Sequence, residues 1–196
     1  VLRCKNEKLN PLLFKTVTEI AKERNADPFD TMIDLALEDN LEIKLLGEMV
    51  NNDHKKLGQH IKDPRLLVGL HDGGAHVDTF FQAGFPTYML GHWVRDEKTI
   101  ELEHAVKRMT SEPADYLGFT DRGRVAVGKK ADLMIFDPAT VGSAQPADTV
   151  LYDLPGGGMH LYSKPHGMAY VLVNGQVLIE NNKHTGALPG QIVQGS

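Results

Sequence analysis

The sequence LLVGL (residues 66–70) runs directly into HDGGAH (71–76). LLVGL is apolar without alternation, which is typical of a strand covered on both faces, as in a parallel sheet. Helix-like patterns lie on both sides of it, at 11–25, 27–37, 53–61 and about 100–110, so the order of elements favours an α/β architecture. In such folds the loops at the carboxyl ends of the strands build the functional site.

The composition indicates a folded protein that does not span a membrane. The chain has 196 residues, of which 41% are hydrophobic and 24% charged, enough for one domain and part of a second. The formal net charge is −5, and neither a basic stripe for nucleic acid nor a polybasic tract for a membrane surface is present. The single cysteine, Cys4, excludes a disulfide framework and a cysteine-rich zinc site.

Residues 1–10, VLRCKNEKLN, contain neither an apolar signal core nor an initiator methionine. We therefore expect a cytoplasmic protein, and we expect the chain to be a portion of a longer one.

Local patterns in the first half predict helices and one strand. Asp27 is a predicted N-cap and Pro28 suits the first helical position. LEIKLL (41–46) alternates and predicts a strand, and Asp53 is expected to cap a short helix that ends at Ile61. The predicted apolar face of the helix after Asp27 consists of Phe29, Met32, Ile33, Ala36 and Leu37.

After about Arg122 the pattern becomes rich in strands. ADLMIF (131–136) predicts a strand, with turn hydrogen bonds from the aspartates at its edges, Asp132 and Asp137. YVLVNGQVLIE (170–180) predicts a hairpin, because Asn-Gly is the dipeptide of a type I′ turn. The stretch between them, LPGGGMHLYSKPHG (154–167), predicts a glycine-rich loop.

Several common catalytic motifs are absent from the sequence. The nine histidines include no HExxH and no His-x-His pair, so no self-sufficient histidine zinc site is visible. GxSxG, a Walker A loop and GxGxxG are also absent, which disfavours a serine hydrolase, a P-loop NTPase and a dinucleotide enzyme. His92 and Arg95 are interpreted as packing and ion-pair partners beside Trp93.

Asp72 is the candidate for chemistry, because it directly follows the apolar run. A carboxylate at a strand end can bind a metal, take a proton from a metal-bound water, or do both. Asp-Gly is also an ordinary turn pair, so a capping role stays open. His71 and His76 flank Asp72, and each is either a loop histidine or a ligand.

The string VGLHDGGAHVDTFFQAGFPTYMLGHWVR (68–95) resembles the last barrel strand and following loop of the amidohydrolase superfamily, in its branch of N-acyl-D-amino-acid deacylases (D-aminoacylases). Four more segments are similar to that branch in the same order, so the resemblance covers about residues 10–193. They are LFKTVTEIAKERNADPFDTMIDLALED (13–39), RGRVAVGKKADLMIFDPATV (122–141), DLPGGGMHLYSKPHGMAYVLVNGQVL (153–178) and TGALPGQIV (185–193).

This resemblance implies an α/β fold: an eight-stranded α/β (TIM-type) barrel with a β-sandwich subdomain made from both chain ends. Residues 1–122 would form the C-terminal part of the barrel, and residues 123–196 a β-rich subdomain. A complete barrel needs about 250 residues. We therefore expect this portion to be inactive alone and to self-associate through its open strand edges.

The resemblance also implies a reaction, the hydrolysis of the amide in a small-molecule N-acyl-D-amino acid by one or two divalent metals, usually zinc. Asp72 would be the catalytic proton acceptor and a metal ligand, and His71, Gly73 and His76 would bind substrate. His71 stands where the family has serine. The family's other metal ligands cannot be assigned in this sequence, so we expect no tightly bound metal on this chain alone.

Two other interpretations stay open at this point. A cyclic-amide hydrolase such as a hydantoinase shares the barrel, and a non-catalytic module could use the β-rich half as an interaction surface. Within the enzyme interpretation, residues 66–94 contain no Lys or Arg. Because an acidic substrate side chain needs a cation, we expect neutral or apolar side chains to be preferred.

Overall fold

The computed structural model describes residues 1–47, 52–69, 82–144 and 150–195. The chain divides into two compact units, Val1–Asn52 and Asp53–Ser196. The boundary at residue 122 stays a prediction for the complete protein. Within the described ranges, no helix combines the length and the apolar character needed to cross a membrane.

Two packed helices, α1 (Val17–Arg24) and α2 (Pro28–Glu38), form the first unit together with a 3-10 helix at Glu7–Leu12. Thr16 caps α1 reciprocally: its Oγ1 accepts from the Glu19 amide at 3.1 Å, and the Glu19 carboxylate accepts from the Thr16 amide at 2.7 Å. The predicted start of α2 is confirmed, because the Asp27 carboxylate accepts from the amide of Phe29 at 2.8 Å.

The apolar face predicted for α2 is wrong in part. Phe29, Ile33 and Leu37 are 66%, 42% and 62% exposed, whereas Leu35 is fully buried. The reason is that Leu35 packs into the apolar cluster of the first unit, which turns the predicted stripe toward solvent. The buried members of this cluster are Leu9, Ile20 and Leu35.

The strand predicted at 41–46 is not formed, and a single bridge between Arg3 and Lys44 takes its place. Asn40 and Leu41 have φ values of 50° and 64°. Two consecutive residues in the left-handed region turn the chain sharply, so the alternating residues do not begin a strand.

Asp39 is a buried carboxylate that holds the N-terminal segment against the end of α2. It is 2% exposed and accepts hydrogen bonds from the amides of Lys5 at 3.0 and 3.1 Å and of Asn6 at 2.6 Å. These bonds replace the hydration that burial removes.

Helices form the first half of the second unit. Asp53 caps the first of them, as predicted, by accepting from the Lys56 amide at 3.0 Å. The helices are α3 (His54–Lys62), α4 (Phe85–Tyr88), a π-helix (Met89–Asp96), α5 (Leu102–Met109) and α6 (Ser111–Tyr116). Their shared core consists of Ile61, Met89, Trp93, Ile100 and Ala105.

Residues 66–69 do not form the predicted strand, and Leu70 lies outside the described residues. Leu66 and Leu67 are each 45% exposed, while Val68 packs against the helical core. A buried parallel strand needs strand neighbours. The strands of the described part of the chain pair only with one another, and all of those pairs are antiparallel.

The second half of this unit is β-rich, as predicted. The strands are β1 (Leu133–Phe136), β2 (Gly142–Ser143), β3 (Val150–Leu154), β4 (Gly158–Leu161), β5 (Pro165–His166), β6 (Met168–Val173), β7 (Gln176–Glu180) and β8 (Lys183–His184). The largest sheet is antiparallel with the order β1-β6-β7-β8, and β2-β5 and β3-β4 form two separate antiparallel pairs.

The predicted Asn-Gly hairpin is confirmed. It joins β6 to β7, and Asn174 and Gly175 have φ values of 49° and 80°, as a type I′ turn requires. The predicted glycine-rich loop is wrong in part, because β3 and β4 pair across Pro155–Gly157 as a second hairpin. Gly156 and Gly157 both have positive φ, so these glycines make a tight turn.

We expect Asp39→Ala to destabilise the first unit by about 1–3 kcal/mol, because two partly buried amides lose their acceptor. Chemical denaturation followed by circular dichroism measures this change. The matched control is Asp34→Ala on the exposed side of the same helix, where we expect a change of less than about 0.5 kcal/mol. Equal effects of the two substitutions would contradict the role assigned to Asp39.

Candidate functional site

The four site residues predicted from sequence, His71, Asp72, Gly73 and His76, lie outside the described residues. Their roles therefore stay predictions. The structure describes the chain on both sides of them, up to residue 69 and again from residue 82.

On the N-terminal side of the predicted site residues, the side chain of Arg108 holds the chain at Leu66. This side chain is fully buried on α5, and Nη2 donates to the carbonyl of Leu66 at 2.5 Å. Nε donates to the carbonyl of Ile61 at 2.9 Å, and Nη1 lies 2.6 Å from the Glu112 carboxylate. The Ile61 carbonyl lies in the last turn of α3, where helix carbonyls lack partners and a cation is favourable.

An ion pair stiffens the turn between α3 and Leu66. Nη2 of Arg65 lies 2.5 Å from the Asp63 carboxylate, and the Leu66 amide donates to the Asp63 carbonyl at 3.1 Å. Hydrogen bonds from the Arg65 guanidinium hold the pKa of the Asp63 carboxyl well below its usual range. Because Arg65 is exposed, the pair stabilises the turn only weakly.

On the C-terminal side of the predicted site residues, two hydroxyl groups hold the chain at Gly84. The Gly84 carbonyl accepts from Thr87 Oγ1 at 3.1 Å and from Ser143 Oγ at 2.9 Å, and these hydroxyls lie 2.7 Å apart. A Cβ atom at Gly84 would approach Ser163 Oγ to 2.0 Å. Glycine is therefore needed for this close packing.

The π-helix that follows carries a cluster of aromatic rings. His92 stacks on Tyr88 with ring centroids 4.7 Å apart, and it meets Trp93 edge-on at 4.9 Å. His54 lies 5.7 Å from the His92 ring. In the described part of the chain, the buried Nε2 of His92 has no hydrogen-bond partner. The structure thus shows His92 in the packing role predicted for it.

The neighbouring Arg95 is an ion-pair partner, as predicted. Its Nε lies 2.8 Å from the Asp96 carboxylate, and Nη1 donates to the carbonyl of Val141 at 2.5 Å. The hydrogen bond from Arg95 lowers the pKa of the Asp96 carboxyl. Arg95 thus joins the π-helix to the chain just before β2.

Other residues interpreted as structural from the sequence have structural partners. Asp132 accepts from the Asn174 amide at 2.8 Å, and Asp137 accepts from the Ala139 amide at 2.9 Å. Cys4 packs against the apolar cluster of the first unit, and burial raises the pKa of its thiol. A thiol with a raised pKa is a weak nucleophile at neutral pH.

Among the residues that the structure describes, no three His, Cys, Asp or Glu side chains are grouped to hold a metal ion. Catalytic zinc generally needs three protein ligands. The described residues therefore do not supply a metal centre by themselves.

No role for Arg108 was predicted from the sequence. Ala105 lies one turn before Arg108, but Leu102, six residues before it, lies about 120° away around the helix. The apolar pattern of this helix therefore did not mark Arg108 as buried.

The fold is that of a mixed α/β protein in which the predicted site segment is flanked by two hydrogen-bonded anchors. Residues 7–179 match the model described as "Amidohydrolase family". The chain belongs to the amidohydrolase family.

Curated relatives resemble part of the chain. It is 43% identical over 89 residues to the N-acyl-D-glutamate deacylase of Alcaligenes xylosoxydans xylosoxydans. This alignment covers 45% of this chain and 16% of the relative. It is 35% identical over 105 residues to the D-aminoacylase of the same organism, which covers 54% of this chain and 19% of the relative. The chain thus aligns with less than one fifth of either relative.

Solved structures of D-aminoacylase share the fold. A D-aminoacylase mutant in complex with CuCl2 gives a TM-score of 0.53 at 23% identity, covering 98% of this chain and 37% of that one. A second D-aminoacylase structure, with a binuclear metal centre, gives a TM-score of 0.50 at 24% identity, and the match covers 95% of this chain and 35% of that one.

We expect Arg108→Met to destabilise the second unit by about 3 kcal/mol, the lower end of the range for breaking a buried ion pair. We expect the lower end because Nζ of Lys107 lies 3.6 Å from the Glu112 carboxylate. Glu112 therefore keeps one cationic partner when Arg108 is replaced. Thermal and urea denaturation measure the change.

The control is Arg124→Met, which removes an exposed guanidinium paired with Asp115 at 2.6 Å. Exposed pairs contribute about 0–1 kcal/mol. If both variants lost the same stability, burial of Arg108 would not be the cause.

Proposed function

We propose that this chain is the C-terminal portion of a metal-dependent amide hydrolase that acts on N-acyl-D-amino acids. The observation that carries the proposal is the family match over residues 7–179, together with 43% identity to an N-acyl-D-glutamate deacylase. In the proposed reaction the amide C–N bond breaks, hydroxide from water joins the acyl carbon, and a proton joins the leaving amine.

Asp72 is the residue of this chain proposed to move that proton. Its carboxylate accepts the proton from the attacking water and returns it to the nitrogen as the amine leaves. When bound, a divalent metal supplies an acidic water and neutralises negative charge nearby. A positive charge near Asp72 keeps its carboxylate ionised at neutral pH, so that it can act as the base.

His71, Gly73 and His76 are proposed to contact the substrate beside Asp72. A neutral imidazole both donates and accepts hydrogen bonds, so either histidine can orient an amide or a carboxylate. Gly73 leaves room for close approach of the substrate to the backbone.

The remainder of the proposed enzyme supplies the other barrel strands and the other metal ligands. The coverage of the solved D-aminoacylase chain, 37%, supports this. In the described part of the chain, β1 and β8 are the edge strands of the four-stranded sheet, and additional strands of a β-sandwich are proposed to pair with them. The same edges are proposed to drive self-association of this portion alone.

Family membership supports an enzyme over a non-catalytic interaction module. The named relatives at 35–43% identity are an N-acyl-D-glutamate deacylase and a D-aminoacylase. Those names favour the deacylase interpretation over the hydantoinase interpretation.

In a complete enzyme that carries this sequence, Asp72→Asn is expected to lower kcat about 10²–10⁴-fold, because the amide cannot accept and return a proton. Hydrolysis of an N-acetyl-D-amino acid is measured on zinc-loaded protein, with metal content determined for each variant. The control is Asp34→Asn, at an exposed position of the first unit. A variant at Asp72 with normal metal content and near-normal kcat would remove this residue from the mechanism.

The proposed enzyme is expected to prefer neutral or apolar D-amino acid side chains. The two arginines that bracket residues 66–94 already have carboxylate partners, Arg65 with Asp63 and Arg95 with Asp96. An acidic substrate side chain without a cation would lose hydration with no compensation.

Comparison of kcat/KM for N-acetyl-D-leucine, D-methionine, D-glutamate and D-aspartate measures this preference. The D-glutamate derivative is the most informative competitor, given the identity to an N-acyl-D-glutamate deacylase. A clear preference for the acidic pair would contradict the prediction and show that the cation comes from another part of the enzyme.

A further inference from the structure

We propose that Arg108 is a positioning residue for the proposed reaction, because its buried guanidinium fixes the chain that leads to Asp72. This inference rests on the proposed function of Asp72. Arg108 itself is assigned no contact with substrate or metal.

The geometry supports the proposal because one rigid group joins three separate segments. The guanidinium bonds to the carbonyl of Ile61 at the end of α3, to the carbonyl of Leu66, and to the carboxylate of Glu112 on α6. Ile61 and Leu66 are 47 and 42 residues from Arg108 along the chain. Their positions are therefore set by tertiary contact with Arg108.

The anchored carbonyl lies close in sequence to the proposed base. Leu66 is six residues before Asp72, and Val68 between them packs on the helical core. A displacement of about 1 Å at a reacting group can lower a rate about 100-fold.

A lysine cannot reproduce this anchor. Guanidinium is a planar fork whose donors point in fixed directions, whereas an ammonium is a single point of charge on a flexible stem. Arg108→Lys therefore keeps the charge beside Glu112 but cannot reach both carbonyls with the same geometry.

The experiment measures kcat and KM of the Arg108→Lys variant of a complete enzyme that carries this sequence. We expect kcat per folded molecule to fall about 10–100-fold, because the segment that carries the proposed base is held less firmly, and KM to rise, because His71 and Gly73 lie in the same segment. The control is Arg124→Lys, whose exposed guanidinium also forks onto a carboxylate, that of Asp115 at 2.7 and 2.6 Å. Its kcat should stay unchanged.

A double variant separates positioning from general stability. If Arg108 acts through Asp72, Arg108→Lys should cause no further loss of residual rate when Asp72 is already Asn. Equal losses in both backgrounds would show an effect that does not pass through Asp72, and would overturn the proposal.

A second readout uses this chain without any assay of activity. Hydrogen exchange at the Leu66 amide, which donates to Asp63, should become at least tenfold faster in Arg108→Lys. The Val171 amide in the central strand β6 should keep its exchange rate. Unchanged exchange at Leu66 would overturn the proposal that Arg108 holds this segment.

The outcomes distinguish the two proposals. An enzyme that loses activity with Asp72→Asn but keeps normal kcat with Arg108→Lys overturns only the positioning role. A wild-type enzyme that hydrolyses no N-acyl-D-amino acid overturns the proposed function, and with it the role of Arg108 in catalysis.

Discussion

The buried guanidinium of Arg108 is the interaction on which the helical part of the second unit depends. A charge removed from water is stable only when polar groups replace its hydration. Two carbonyls and the Glu112 carboxylate do so at 2.5–2.9 Å. Because these partners lie on different segments, satisfying one charge fixes the end of α3, the turn at Leu66 and helix α6 together. Ile61 and Val68, which lie close in sequence to the two bonded carbonyls, pack in the apolar core of the same helices.

The sequence predicted best those features whose cause is local. Asp27 and Asp53 cap helices because a short acceptor can reach amides two or three residues away, whatever the rest of the chain does. Asn174-Gly175 turns the chain because both residues tolerate positive φ. Each prediction needed only neighbouring residues, and each is confirmed.

Predictions that depended on distant partners were less successful. An apolar stripe on α2 was readable, but Leu35 rather than Phe29 packs in the first unit. Apolar periodicity indicates that a face favours burial without saying what covers it. The run at 66–69 is similar, since its composition suits a strand covered on both faces, yet no parallel neighbour lies in the described residues. The chain covers 37% of a solved D-aminoacylase chain that shares its fold.

The candidate site shows why counting residue types is a poor guide to chemistry. Nine histidines in one sequence suggest a metal site. However, His54 and His92 pack around Trp93, and Nε2 of His160 lies 2.5 Å from the Asp153 carboxylate. Metal ligands must converge in space, and ligands from distant segments leave no spacing signature. Asp72 was singled out by its place after an apolar run, and the order of five family-like segments gave it a proposed role. Arg108 was not predicted from the sequence because of the kind of partners it has. Its partners are mainly backbone carbonyls, which every residue possesses, so no side-chain motif marks it.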